Sequence, residues 1–167
     1  MKIMSNSSKG SWPASSIRRS VINALIHLSN TSYSVSEAEL KSLAEIYEQL
    51  SQDLLDGSPC RSCGDCCNFE KFGHELRVTH IELFYLIQKH GLRRPKKEGV
   101  CPYLEDGLCI ARDGRALGCR VFFCDADKAN QEQLYEKYLG RIRDLSSDGR
   151  INAYYGEFLS SLKDIQL

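Results

Sequence analysis

The run Cys60-Arg61-Ser62-Cys63-Gly64-Asp65-Cys66-Cys67 constrains this chain more than any other feature. It contains two successive C-x2-C steps and a vicinal pair, and four more cysteines follow at Cys101, Cys109, Cys119 and Cys124. A thiolate is a soft, anionic ligand suited to zinc and to iron–sulfur clusters. Two cysteines separated by two residues can face one centre when the turn between them is tight, and Gly64 lets the backbone bend there. The spacing predicts that Cys60, Cys63 and Cys66 converge. Adjacent side chains diverge, so Cys67 is expected to serve a second centre or a second metal. All eight cysteines are candidate ligands. Four and four is the count for two all-thiolate zinc sites, and equally for two four-thiolate iron–sulfur clusters. Closely spaced thiolate triples lean towards iron–sulfur, whereas a helical domain with pure thiolate sites suits structural Zn2+, and both stay open. The Cys101-Pro102 pair after C-x2-C-x2-C is locally similar to bacterial ferredoxins, although the intervening stretch is far longer.

Compartment bears on this reading. The N-terminal MKIMSNSSKGSWPASS lacks the apolar core of a secretory signal, and no later stretch approaches the ~20 apolar residues of a membrane span. The expected location is cytoplasmic, where thiols stay reduced, so eight cysteines point to metal or redox chemistry before disulfides. Inert buried thiols are common singly but not eight at a time. Lysine plus arginine and aspartate plus glutamate each number 22, and this zero formal charge argues against nucleic acid or an acidic membrane as partner. A protein partner stays open. The basic run Arg93 to Lys97 has no interleaved aromatics and reads as a solvated loop.

At 167 residues the chain fits one globular domain with a real core. It divides into a helical lead (1–59), a cysteine-cluster metal-binding region (60–124) and a helical tail (125–167). Pro13 suits a first helical turn, and Ile17, Val21, Leu25 and Leu28 recur at helical spacing. A second helix is predicted from a Ser34/Glu37 capping box, with Leu40, Leu43, Tyr47, Leu50 and Leu54 as its buried stripe and Gly57-Ser58-Pro59 as its stop. A third has Thr79/Glu82 as its capping box, Ile81, Phe84, Leu86 and Ile87 as its apolar residues and Gly91 as its stop. Asp106-Gly107 predicts a small hairpin that brings Cys101 and Cys109 together. Two tail helices are marked by Leu134, Tyr138, Ile142 and Leu145, then by Tyr154, Phe158, Leu159 and Leu162, with Ser147-Asp148-Gly149 between them. The expected fold is mainly α, a single helical domain clasping cysteine-rich loops.

Arg115 and Arg120 flank Cys119 and are candidates to donate hydrogen bonds to cluster sulfurs. His74 lies near the cluster, where a surface or capping role is preferred over ligation. There is no G-x-S-x-G elbow, phosphate-binding glycine loop or dinucleotide fingerprint, which leaves catalysis only as redox or metal-assisted chemistry.

Together CRSCGDCC and CPYLEDGLCIARDGRALGCRVFFC resemble the YkgJ-like cysteine-cluster family, a zinc- or iron-chelating domain. Cys101, Cys109, Cys119 and Arg120 fall on family positions, and Cys124 stands as a trailing cysteine. The resemblance covers Cys60 to Cys124 strongly and the tail weakly. Where the family often has Arg-Pro before its Cys-Arg pair, this chain has Arg115-Ala116, which loosens a turn and removes no ligand. The resemblance implies metal chelation, and one branch, similar to flagellin lysine methylases, adds a methyl-transfer reading. Three roles follow: a redox, sensing or carrier protein with a metal or iron–sulfur centre, an interaction module held by structural zinc, and a methyl transferase.

Overall fold

A capping serine sets where the first long helix begins. The computed structural model describes residues 26–28, 31–54, 63–122, 128–145 and 154–165. Helix α1 (Glu37–Asp53) starts from Ser36, whose side chain accepts from the Glu39 N–H, while Glu39 returns a carboxylate to the Ser36 N–H at 2.6 Å. The expected Ser34/Glu37 frame is therefore two residues too early. Both frames satisfy the S-x-x-E pattern, but only the later one puts buried apolar residues, Val35 and Leu40, at the two staple positions, where the earlier would use half-buried Tyr33 and exposed Ala38. The predicted stripe holds, with Leu40, Leu43, Tyr47 and Leu50 buried. The expected stop at Gly57-Ser58-Pro59 lies outside the described residues.

The lead differs from expectation upstream of α1. Strand β1 (Ile26–Leu28) pairs antiparallel with β2 (Thr31–Tyr33), so Leu28 belongs to a strand and not to a helix. The helical spacing competed with the β-branched residues Ile26 and Thr31, and the local β preference won. Ile17, Val21 and Leu25 lie outside the described residues.

After a one-turn helix, α2 (Phe69–Phe72), strand β3 (Arg77–Thr79) leads straight into α3 (His80–His90). Thr79 and Glu82 form the expected capping box, and the chain leaves the helix at Gly91. Strands β4 (Leu104–Glu105) and β5 (Leu108–Cys109) form the expected hairpin. Next come the short helix α4 (Leu117–Val121) and the long α5 (Lys128–Leu145). The last helix, α6 (Phe158–Asp164), begins later than expected, because Tyr155–Glu157 forms a strand, β6, paired with β3. Glu157 then caps α6, accepting from Leu159 N–H at 2.9 Å and Ser160 N–H at 2.6 Å. The expected break at Ser147-Asp148-Gly149 lies outside the described residues.

The fold is mainly α, with three two-stranded sheets among the described residues. Helix α1 packs on α5 and α3, and α4 packs on α5. Leu43, Leu50, Ile81, Leu83, Leu117 and Ile142 are fully buried on these helices, as is Leu162 on α6, and each such side chain contributes about 1.5–3 kcal/mol through burial. Asp53 at the end of α1 ties to α5 by accepting from Lys137 Nζ at 2.7 Å and Tyr138 OH at 2.8 Å. No described helix is long and apolar enough to cross a membrane.

One buried carboxylate joins three of these helices. Glu82 is 2% exposed. Its Oε2 accepts from Thr79 N–H (2.8 Å) and Thr79 Oγ1 (2.9 Å), closing the α3 cap. Its Oε1 accepts from Leu117 N–H (2.7 Å), at the start of α4, and from Tyr47 OH (3.1 Å), on α1. Burying a carboxylate costs several kcal/mol unless donors surround it, and four donors do so here.

Two predictions follow from these caps. In urea unfolding, Glu82→Ala is expected to cost about 3 kcal/mol or more, since it strands buried donors on Thr79, Leu117 and Tyr47 at about 1–3 kcal/mol each. In the same assay Ser36→Ala is expected to cost about 1 kcal/mol, and Ser34→Ala to stay within about 0.5 kcal/mol. Equal losses at both serines would refute the capping frame.

Candidate metal centre

The cysteine segment lies against the hairpin through a glycine. Gly64 has φ 71°, in the left-handed region, and leads into a 3-10 turn over Asp65–Cys67. In that turn the Cys67 N–H donates to the Gly64 carbonyl at 2.9 Å. A Cβ on Gly64 would strike the Gly107 carbonyl and come within 2.7 Å of Leu104 Cδ1. The hairpin turn itself uses positive φ at both central residues, Asp106 (48°) and Gly107 (74°), the pattern that Asp-Gly favours.

Backbone bonds then place the cysteines side by side. The Cys101 N–H donates to the Cys67 carbonyl at 2.8 Å, next to a bridge between Asn68 and Val100. Leu104 N–H donates to the Cys101 carbonyl at 3.1 Å, and Leu104 pairs with Cys109 across the hairpin. His74 supports the same loop, its Nε2–H donating to the Cys66 carbonyl at 3.0 Å while its ring stands edge-on to Phe69. It clamps the loop through that carbonyl.

The Cys67 thiol interacts with those of Cys101, Cys109 and Cys66. These contacts push the Cys67 thiol far above its ordinary range. The hydrogen bond from Cys67 has the opposite effect on Cys66 and Cys109, drawing each down to about 6 against the opposing effect of burial. Cys119 is half-buried as a residue with its thiol enclosed, and burial followed by the charges of Cys101 and Cys66 raises it. Cys66 and Cys67 thus interact with one another across the turn. A 3-10 turn advances by about 120° per residue, which lets two neighbours reach one side.

Six described cysteines are free thiols: Cys63, Cys66, Cys67, Cys101, Cys109 and Cys119. Cys63 is exposed, and Cys60 and Cys124 lie outside the described residues. Among the described residues, no three histidine, cysteine, aspartate or glutamate side chains stand in a ready-made metal-holding arrangement. The thiols are gathered without being disposed around a common point. A donor set made wholly of thiols fits a thiophilic ion.

Arg115 and Arg120 differ in placement. Arg115 is pinned by its Nε to the Arg112 carbonyl (3.1 Å) and by Nη1 to the Cys119 carbonyl (3.0 Å). From there its charge acts on the Cys66, Cys109 and Cys119 thiols. Arg120 donates to the Arg115 and Asp113 carbonyls, both at 2.7 Å, and its guanidinium lies 3.9 Å from the centre of the Tyr47 ring. It braces the loop on α1.

Other supports carry no sequence motif. Asp113 accepts from Lys89 Nζ at 3.0 Å and pairs with His90 Nε2 at 2.8 Å, which holds the turn Arg112–Gly114 on the end of α3. Within the basic run, Arg93 pairs with Glu105, and Arg94 donates to the Leu162 (3.0 Å) and Ile165 (2.8 Å) carbonyls at the end of α6. These two arginines are structural ties, whereas Lys96 and Lys97 are exposed, as a solvated loop requires.

Two outcomes are expected of metal-free, reduced protein. Alkylation followed by peptide mapping should find Cys66 and Cys109 still reactive at pH 7, with rates falling as pH drops through about 6, because the thiolate is the nucleophile and an ordinary thiol titrates at about 8.5. Gly64→Ala should cost about 2 kcal/mol or more in urea unfolding, from left-handed strain and the clash with the hairpin. Comparisons with protein-family models, curated proteins and solved structures find no match to this chain.

Proposed function

We propose that this chain is a metal–thiolate protein whose cysteine loops bind zinc, and that the filled centre holds those loops as an interaction module in a reducing compartment. The observation that carries this reading is the backbone juxtaposition of the cysteine segments, with the Cys101 N–H donating to the Cys67 carbonyl at 2.8 Å and Leu104 pairing with Cys109 across the hairpin. A helical domain with pure thiolate donors suits structural zinc, and the consecutive C-x2-C steps keep an iron–sulfur cluster as the second reading. The resemblance to the YkgJ-like family supports chelation under either metal.

Protein purified reduced and without oxygen, followed by elemental analysis and an absorption spectrum, tests the proposal. Stoichiometric zinc in a colourless protein is expected, with loss of stability on chelation, because formation of a thiolate site is coupled to folding. Iron with acid-labile sulfide and visible absorption selects the second reading, and protein that takes up neither metal refutes both. Arg115→Gln is expected to weaken zinc binding by about 10-fold, as loss of a group supporting the ligands does, with Cys101→Ser weakening it further in the same chelator competition.

A further inference from the structure

We propose that Gly99 is a positioning residue of the metal centre, the bare stretch of backbone that lets the segment before Cys101 lie on the segment after Cys67. This rests on the zinc reading above and names what brings two of its cysteines into register. The two segments meet in a short antiparallel ladder. The Cys101 N–H donates to the Cys67 carbonyl at 2.8 Å, Asn68 bridges Val100, and the Glu70 N–H donates to the Gly99 carbonyl at 3.2 Å. One end of the ladder is therefore the pair of cysteines, and the other end is Gly99.

Two constraints fall on Gly99 at once. Its φ is 63°, in the left-handed region, at the third position of a turn that the Val100 N–H closes on the Lys97 carbonyl at 3.4 Å. Glycine supplies that conformation without steric cost. A Cβ there would also strike the Glu70 Cβ and stand 3.2 Å from the Glu70 nitrogen, the same group whose hydrogen the Gly99 carbonyl accepts. Glu70 has little room to retreat, because Asn68 caps α2 by accepting from the Lys71 N–H at 3.2 Å. On the opposite side, Lys96, Lys97 and Glu98 are exposed and give the turn no anchor in the core, so the ladder sets where Cys101 lies. Gly73, at the end of α2, has the same φ of 63° but nothing within 4 Å of its Cβ position. The two glycines therefore separate close approach from backbone strain.

The test measures zinc affinity of the full reduced chain by chelator competition, beside urea unfolding of the metal-free protein. Gly99→Ala should weaken zinc binding by about 10-fold or more, as loss of a group supporting the ligands does, whereas Gly73→Ala should lower stability and leave the affinity unchanged. Adding Glu70→Gly to Gly99→Ala removes the Cβ that the new methyl meets and should return most of the lost affinity. A glycine inside α2 is itself destabilising, so a loss that merely tracked stability would grow in the double variant. In the unmodified chain, zinc should slow hydrogen exchange of the Glu70 and Cys101 amides more than that of the Gly91 amide, which closes α3 on Ile87. That measurement keeps the inference falsifiable even if Gly99→Ala does not fold. Unchanged affinity in Gly99→Ala, equal affinity losses at Gly99 and Gly73, a double variant weaker than Gly99→Ala, or no selective slowing of exchange would each overturn it while leaving zinc binding in place. An unmodified chain that takes up no zinc would remove the proposed function, and this inference with it.

Discussion

The four hydrogen bonds to the Glu82 carboxylate fix the relation between the helical frame and the cysteine loops. One oxygen closes the α3 cap at Thr79, and the other holds Leu117 N–H and Tyr47 OH. Helix α4, which carries Cys119, therefore starts where Glu82 puts it. Burial, followed by the Glu82 charge, holds the Tyr47 phenol well above its ordinary pKa, so it remains a donor to that carboxylate. Arg120 then lies on the other side of Tyr47, 3.9 Å from its ring centre, and returns to the Arg115 and Asp113 carbonyls. An acid, a phenol and a guanidinium thus form one chain of contacts from the core to the loop beside the thiols. Buried polar groups satisfied in this way specify one arrangement of their elements, because every alternative strands a donor or acceptor.

The thiol group sits at the end of that scaffold and is assembled by close backbone approach. Cys67 and Cys101 are joined through the main chain, and Gly64 lets its loop lie on the hairpin turn. Metal binding at such a site releases protons, since ligands bind as thiolates. The hydrogen bonds among the thiols already share protons unevenly, with Cys67 holding one while Cys66 and Cys109 are drawn down to about 6. The supports around them are ordinary: a histidine on a carbonyl, two arginines on carbonyls and an aspartate paired with Lys89 and His90. Each limits how far a loop can move away from the frame.

Local chemistry made much of this legible. The Thr79/Glu82 box, the Gly91 stop and the Asp106-Gly107 turn all depend on residues within a few positions of one another, and all appear as expected. The α1 stripe was readable for the same reason. Errors arose where two local signals competed, as at Ser34 and Ser36, or where a partner strand decided, as at Tyr155–Glu157. In both places the residues admit either answer until the core chooses.

By itself the sequence determined the helical character of the chain, its capping boxes, its hairpin and the concentration of soft ligands between Cys60 and Cys124. These follow from spacing and from short-range steric and hydrogen-bonding rules. Only the tertiary structure decided that the Cys67 carbonyl meets the Cys101 N–H, that Arg115 is pinned on the Cys119 carbonyl while Arg120 braces α1, and that Glu82 serves two helix starts. Those relations join residues far apart in the chain, such as Glu82 and Leu117 or Cys67 and Cys101. No local pattern encodes them, because they form only when packing of the helices brings the segments together.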